Sequence, residues 1–347
     1  MSFVFRPAQG NPSPSFALVM ATGILAVAAR QQGLDTLAML LFECAVLAWV
    51  LLSLLSLWRL ARHRGDVAQD LASLQRAPAF FTAVAGTGVL ASGLLVLDGG
   101  FAWAAVLALL ALVLWTVLTY GVFAAVITSE DKQPLERGIG GAWLLAVVAC
   151  QSVAVTAALL SSHVGQPWRL QLNFLALGLW LFGGMLYTWI IALIFQRTLF
   201  FRFAPADLAP PYWINMGAMA ISTLAGAQLV ANAAQAPLLE ALLPFLKGFT
   251  ILYWATGTWW LPLLVALTAW RYLLRRDPLR ADALDWSMVF PLGMYSAATH
   301  NMDAALQLHL LAPLGSVFFG LALLAWVATA LLRSSAWVRR VRAAAAA

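Results

Sequence analysis

Charged residues are scarce in this sequence. Asp, Glu, Lys and Arg make up 10% of its 347 residues, whereas 63% are hydrophobic and the mean hydropathy is +0.86. Soluble domains carry about 25% charged residues, so this chain lacks the polar surface that a water-soluble globule needs. The composition therefore predicts a polytopic membrane protein.

Residues that build reactive centres are also few. Four histidines and two cysteines argue against a metal centre, a disulfide framework or a soluble catalytic domain. The sequence lacks the short motifs of zinc proteases, thiol redox enzymes, serine hydrolases and phosphate-binding loops. We expect no cofactor and no enzymatic activity, because a membrane-embedded enzyme would need more than His300 with the flanking Asp285 and Asp303.

Long apolar runs, in contrast, are abundant. A helix needs about 20 residues to cross the hydrocarbon core of a bilayer, and ten candidate runs lie between charged or Pro/Gly breaks. They form a single transmembrane domain over residues 1–347, with spans predicted near 14–30, 36–58, 78–97, 102–128, 139–161, 170–195, 211–234, 239–270, 286–302 and 309–332.

The net charge of +6 is explained by the positions of the cations. With ten spans and a cytoplasmic N-terminus, 17 of the 20 Lys and Arg residues fall on the cytoplasmic side, as the positive-inside rule requires. This distribution predicts that both termini are cytoplasmic in a multi-pass protein of the inner (plasma) membrane. Anionic lipid headgroups, rather than nucleic acid, are the expected contacts of these cations.

Composition divides the spans into two classes. The odd-numbered windows contain 13 Leu in 101 residues, and the even-numbered windows contain 40 in 132. Lipid-facing helices can be rich in Leu, whereas helices that pack closely or face a lumen use small residues. We predict an all-α fold of five helical hairpins, with odd helices forming an inner pore ring and even helices an outer ring. For any single small residue, close packing alone is the alternative.

The inner spans supply the candidate site residues. Pro291 removes a backbone donor and is expected to kink the ninth span, and Phe290 beside it is placed to close a narrow path, although most intramembrane phenylalanines only pack. His300 is a candidate proton relay or anion contact, with a neutral, hydrogen-bonded ring as the alternative. The candidate pore-lining residues are Phe16, Thr22, Thr87, Ser222 and Met294.

The odd spans carry no Lys or Arg at depth. A transporter that binds anions tightly would be expected to use such charges. Their absence from these windows favours weak, electrostatically guided passage, in which anions meet helix ends, hydroxyl groups and aromatic edges.

Four stretches of the sequence resemble a known family. They are PSFALVMATG at 14–23, PYWINMGAMAISTLAG at 211–226, PFLKG at 244–248 with WWLP at 259–262, and WSMVFPLG at 286–293. They are similar to the tellurite-resistance and dicarboxylate transporter family, which includes bacterial TehA proteins, plant slow-type guard-cell anion channels, fungal malate permeases and sulfite exporters. The resemblance extends over residues 12–335.

The resemblance implies ten helices around a central pore, a homotrimer with one pore per subunit, and a phenylalanine that occludes the pore at Phe290. It implies an anion channel or channel-like transporter for small anions. The alternative is a secondary carrier, proton-coupled or not, for malate-like dicarboxylates, or a sulfite exporter. The sequence departs from the family in lacking a mid-span proline in the third and fifth spans and the long soluble tails of the plant channels.

Overall fold

The computed structural model describes residues 13–130, 132–278 and 285–346, with side chains up to residue 335. Within these ranges every regular element is helical, which confirms the all-α prediction. The helices are α1 (Phe16–Gln31), α2 (Asp35–Arg62), α3 (Arg64–Ala72), α4 (Phe81–Val96), α5 (Phe101–Thr128), α6 (Leu135–Gly138), α7 (Leu145–Ser161), α8 (Trp168–Phe200), α9 (Ile214–Asn232), α10 (Pro237–Ala241), α11 (Leu243–Ala269), α12 (Trp286–Leu306) and α13 (Ala312–Ala346).

Nine helices of the described part are long and apolar enough to cross a membrane: α1, α2, α4, α5, α7, α8, α9, α11 and α13. The predicted ninth span, 286–302, falls on α12. With 21 residues this helix is about 31 Å long at 1.5 Å per residue, but it carries polar residues such as Thr299, Asn301 and Asp303. The ten-span topology with cytoplasmic termini remains a prediction, and residues 1–12 and 347 lie outside the described ranges.

Burial separates the long helices into two classes. In the apolar windows of α1, α4, α7 and α9, between 72% and 94% of the residues are buried, against 11% to 50% in α2, α5, α8, α11 and α13. Helix α12 belongs with the first class, because 15 of its 21 residues are buried. We refer to α1, α4, α7, α9 and α12 as the inner helices and to the other five long helices as the outer helices.

The inner helices pack in a closed cycle. Helix α1 contacts α4, α4 contacts α7, α7 contacts α9, α9 contacts α12, and α12 contacts α1. Each inner helix also packs against the outer helix that follows it in the chain: α2, α5, α8, α11 and α13 respectively. The chain thus repeats one arrangement of a buried and an exposed helix around a common centre.

Tryptophans of the outer helices tie this arrangement together. In four cases an indole N–H donates a hydrogen bond to the inner helix of the next pair in the cycle, and α13 returns in this way to α1. The pairs are Trp49 with Thr87 Oγ1, Trp180 with the Ser222 carbonyl oxygen, Trp254 with Thr299 Oγ1, and Trp326 with Thr22 Oγ1, over distances of 2.8 to 3.0 Å.

Helix α5 departs from this pattern. The indole nitrogen of its Trp115 is buried and has no hydrogen-bond partner among the described residues. The Trp115 ring instead meets Phe182 of α8 edge-on, with the ring centroids 6.2 Å apart. Helix α5 is therefore not tied to α7 by a tryptophan hydrogen bond of this kind.

Glycine allows the close packing of α9 against α12. A Cβ atom on Gly217 would lie 2.9 Å from Cγ of Pro291, so the proline ring occupies the space that a larger residue would need. Helix α12 continues through Pro291 as one helix, from Trp286 to Leu306.

A buried ionic cluster joins α2 to α3 at the end of the first outer helix. The Asp70 carboxylate lies 2.7 Å from Nη2 of Arg59 and 3.0 Å from Nη1 of Arg76. The side chains of Arg59 and Asp70 are only 6% and 5% exposed, whereas that of Arg76 is 58% exposed. One buried carboxylate thus pairs with two guanidinium groups.

Candidate functional site

A cavity of about 40 Å³ lies at the centre of the inner helices, and all five of them line it. The lining begins at Ile24, Gly88, Ser152, Ile221 and Met294, and each helix contributes residues from there towards its C-terminal end. The five helices therefore run in the same direction around the cavity. A cavity needs roughly 10–15 Å³ to hold one water molecule, so this one can accept a small solute.

The lining is mostly apolar, with five polar residues and no charged ones. Side-chain amides come from Gln31, Gln228 and Asn301, and hydroxyl groups from Ser92 and Ser152. None of the residues that line the cavity is Lys, Arg, Asp or Glu. Amide N–H and hydroxyl groups donate hydrogen bonds to an anion without the strong attraction of a fixed cation.

Several of these polar groups are held by neighbours. Gln228 Nε2 donates to Asn301 Oδ1 over 3.0 Å, which links α9 to α12. Ser92 Oγ of α4 lies 3.1 Å from Thr156 Oγ1 of α7. The polar end of the cavity is thus formed by paired side chains from different inner helices.

Phe290 lies one helical turn before Met294, the first residue of α12 that lines the cavity. It precedes Met294 by four residues, and residues four apart share a helix face, so Phe290 faces the same axis on the N-terminal side of Met294. Its side chain is 1% exposed. Phe290 does not line the cavity itself.

Ser287 lies on the same face of α12, one turn further towards the N-terminus. It is 2% exposed, and its hydroxyl oxygen has no hydrogen-bond partner among the described residues. An unpaired hydroxyl group therefore follows Phe290 along the axis of the inner helices.

The other candidate residues lie in different surroundings. Met294 lines the cavity. Thr22 and Thr87 are buried, and their hydroxyl groups accept the hydrogen bonds from Trp326 and Trp49, which directs them towards outer helices.

Ser222, Phe16, Pro291 and His300 do not line the cavity either. Ser222 donates its hydroxyl hydrogen to the carbonyl oxygen of Ala218 within α9, and Phe16 is buried at the start of α1. Pro291 packs against α9 as described above. His300 is partly exposed on α12, where α13 approaches it closely at Gly315.

Helical spacing was the signal that could have identified the polar residues that line the cavity. Asn301 follows Met294 by seven residues, which is two turns along one helix face. Gln228 follows Ile221 by the same seven residues. Gln31 likewise follows Ile24 by seven residues. Each is an amide residue on an otherwise small or apolar helix face, and none was among the predicted site residues.

Among the described residues there is no group of three or more His, Cys, Asp and Glu side chains that could hold a metal ion. The chemistry available at the centre of the inner helices is hydrogen bonding from neutral groups.

Comparison with known families identifies the chain. The model of the SLAC1 family, described as a voltage-dependent anion channel, matches residues 12–333. The chain belongs to the SLAC1 family. All five inner helices lie within the match, so the cavity is part of the SLAC1 domain.

Relatives of this SLAC1 protein occur in bacteria and archaea. An uncharacterized membrane protein of Mycobacterium tuberculosis is 40% identical over 144 residues, which cover 42% of this chain and 73% of the relative. An uncharacterized transporter of Methanocaldococcus jannaschii is 23% identical over 335 residues, which cover 90% of each chain. A second uncharacterized transporter of the same organism is 24% identical over 190 residues, 54% of this chain and 53% of the relative.

Proposed function

We propose that small anions cross the membrane along the axis of the five inner helices, in a ten-span subunit whose path is closed by Phe290. One observation carries this proposal. All five inner helices line the cavity, and the first lining residue of α12 is Met294, which follows Phe290 by one turn on the same face. The cavity is then the outer vestibule of a pore, and the Phe290 ring is its barrier.

The direction of the inner helices supports anions as the permeating ions. Their C-terminal halves line the vestibule, and in the proposed topology all five N-terminal ends lie at the opposite, cytoplasmic end of the pore. A helix N-terminus carries a partial positive charge of about half an elementary charge. Five such ends around one path attract anions at that end of the pore, whereas the C-terminal ends at the vestibule carry the opposite partial charge.

The lack of fixed charge in the vestibule supports rapid passage. An anion held by a buried Arg or Lys would bind tightly and leave slowly, whereas conduction needs sites that are weak enough to release the ion. Hydrogen-bond donors lie on both sides of the barrier, with the Gln228 amide in the vestibule and the Ser287 hydroxyl beyond Phe290. An anion can exchange one set of donors for the other as it passes the ring.

We propose small inorganic anions as the cargo, in a homotrimer of the plasma membrane with one pore per subunit. The alternative is a coupled carrier for malate-like dicarboxylates or sulfite. It receives less support, because a dianion would find no Lys or Arg among the residues that line the vestibule. The two mechanisms differ in the flux that they predict, since a carrier saturates and responds to a pH gradient and to His300→Ala.

The test is flux through purified protein in proteoliposomes at a clamped potential, with chloride, nitrate, sulfite and malate compared. Phe290→Ala removes the ring and is expected to raise the flux of the small anions by about tenfold or more, since each 1.36 kcal/mol removed from a barrier is tenfold in rate. Flux through this variant should rise linearly with anion concentration.

Phe174→Ala serves as the matched control, because Phe174 is 66% exposed on α8 and its loss should leave flux unchanged. Equal flux through wild type and Phe290→Ala, at equal incorporation, would remove Phe290 as the barrier. Saturable, pH-driven malate or sulfite uptake that is lost in His300→Ala would establish the carrier instead.

A further inference from the structure

A deep apolar groove opens in the ring of outer helices between α5 and α8. Its volume is about 380 Å³, and its walls are formed by residues such as Ala108 and Leu112 of α5 and Leu172 and Leu175 of α8. The floor is the inner helix α7, which contributes Val153, Ala157 and Leu160. All of the residues that line the groove have hydrophobic side chains.

The groove lies where the tryptophan ties described above are interrupted. The other four outer helices each donate an indole hydrogen bond to the next inner helix, but Trp115 of α5 has no such partner among the described residues. Trp115 follows Leu112 by three residues on the same face of α5, and its ring meets Phe182 of α8 edge-on. Between Phe101 and Leu112 the groove separates α5 from α8.

The mouth of the groove has the character of a membrane interface. Phe101 and Trp168 line it at the first turns of α5 and α8, and aromatic side chains concentrate at the level of lipid headgroups. In the proposed topology this end faces the outer leaflet. The groove therefore runs from the headgroup level towards the middle of the bilayer.

Arg169 stands beside this mouth, and no carboxylate of the described residues pairs with it. Its Nε donates to the carbonyl oxygen of Val164, a residue that lines the groove, over 3.0 Å. It forms no salt bridge within the described ranges. Arg30, the other cation assigned to this side, is by contrast paired with both Asp35 and Asp98. An uncompensated positive charge is thus held next to an apolar slot.

We propose that the groove is a specific site for one glycerophospholipid of the outer leaflet, with an acyl chain between α5 and α8 and the lipid phosphate paired with Arg169. The apolar groove matches the acyl chain of such a lipid, and the Arg169 guanidinium matches its phosphate. Burial of apolar surface along the chain supplies the affinity, and the guanidinium–phosphate pair sets the depth and orientation of the headgroup.

The groove and the proposed pore share one helix, because α7 lines both the groove and the central cavity. Val153 and Ala157 form the floor of the groove, while Ser152 and Val155 of the same helix line the central cavity. The lipid packs against α7 at the place where α5 forms no tryptophan hydrogen bond to it, and so supports α7 from the membrane side. Its loss should loosen one wall of the vestibule.

The experiment measures retention of dioleoylphosphatidylglycerol by native mass spectrometry of detergent-solubilised full-length protein, titrated with that lipid. Wild type should retain one lipid per subunit at concentrations where nonspecific adducts are absent. Ala108→Phe, which fills the groove from the partly buried face of α5, and Arg169→Gln, which removes the charge, should each weaken retention by about fivefold or more.

Two matched variants keep the result interpretable. Ala124→Phe places the same ring on an exposed position of α5, and Arg30→Gln removes the other outer cation; both should retain the lipid as wild type does. Equal retention by wild type, Ala108→Phe and Arg169→Gln, in variants that elute and melt like wild type, would overturn the proposal. So would equal losses in the test and control variants. Because the readout is lipid binding, failure of the proposed pore would leave it unaffected.

Discussion

Gln228 and Asn301 join two inner helices at the wall of the central cavity, with Gln228 Nε2 3.0 Å from Asn301 Oδ1. Asn301 in turn donates its amide hydrogen to the carbonyl oxygen of Ala297. Since a side-chain amide has two N–H groups, Gln228 keeps one for a solute. The pair therefore both fixes α9 against α12 and presents a donor to the vestibule.

Replacing Gln228 by Leu should lower chloride flux about threefold to tenfold, because an anion in the vestibule loses a hydrogen bond of roughly 1 kcal/mol. The measurement is the same proteoliposome flux at fixed potential. Gln171→Leu, on an exposed position of α8, is the control. Unchanged flux in Gln228→Leu would show that permeating anions do not use this amide.

Ser287→Ala should reduce anion flux in the background of Phe290→Ala. The hydroxyl lies one turn beyond the ring and has no partner among the described residues, so its removal takes a donor from the path without breaking a known contact. We expect a loss of about threefold. Ser162→Ala, which alters an exposed hydroxyl outside the cavity, should have no effect; a similar loss there would point to a general effect on folding.

Gly217→Ala should destabilise the protein by about 1–3 kcal/mol, the usual cost of overpacking. The new methyl group would lie 2.9 Å from the Pro291 ring, in backbone-to-ring packing that cannot yield easily. Thermal unfolding in detergent measures the effect. Gly178→Ala is the matched control in α8, where nothing lies within 4 Å of the added carbon, and it should raise stability by a few tenths to about 1 kcal/mol. Equal effects of the two substitutions would contradict the packing argument.

Thr87→Val tests the tryptophan ties. Valine has nearly the volume of threonine but leaves the Trp49 indole N–H without its acceptor, at a cost of about 0.6–1 kcal/mol within a bilayer. The expected result is a lower midpoint of thermal unfolding. Thr116→Val, whose hydroxyl binds only the carbonyl oxygen of its own α5 turn, should leave the midpoint close to that of wild type. Combining Thr87→Val with Trp49→Phe should cost no more than the larger single effect.

Asp70→Asn should cost about 3–5 kcal/mol, because it leaves the buried Arg59 guanidinium without its carboxylate. Helix α3 should then detach from the end of α2, which limited proteolysis of the purified protein can detect. Asp66→Asn is the comparison, since the Asp66 side chain is 57% exposed and faces only His63. Equal protease resistance of wild type and Asp70→Asn would contradict a structural role for the cluster.

Much of the fold was predictable because a membrane imposes its own requirements on sequence. Crossing helices must be long and apolar, and the helices that face lipid can be covered in Leu, so hydropathy and Leu content distinguish the exposed α5 from the buried α7. The polar residues of α12 make this helix less apolar than the other inner helices, although it is buried as they are. Phe290 is marked in the sequence by its place beside Pro291, and the family resemblance implies that it occludes the pore.

The direction of individual side chains could not be predicted from composition. Thr22 and Thr87 belong to small-residue spans typical of pore-lining helices, yet their hydroxyl groups serve tryptophans of outer helices. Which face of a buried helix meets the axis depends on its rotation, and spans that are apolar on all sides contain little information about rotation. The spacing from Met294 to Asn301 shows that the two residues share a face of α12. It fixes the rotation of the helix only when the position of one of them is already known.

The hydrogen bond between Trp326 and Thr22 spans 304 residues of sequence and constrains how the protein is made. The first inner helix meets its final neighbour only after α12 and α13 have left the ribosome. Until then α1 must rest against lipid or the insertion machinery with its threonine unpaired. A chain released before α12 would hold the first four helix pairs, but its cycle of inner helices would be open along one side, between α9 and α1.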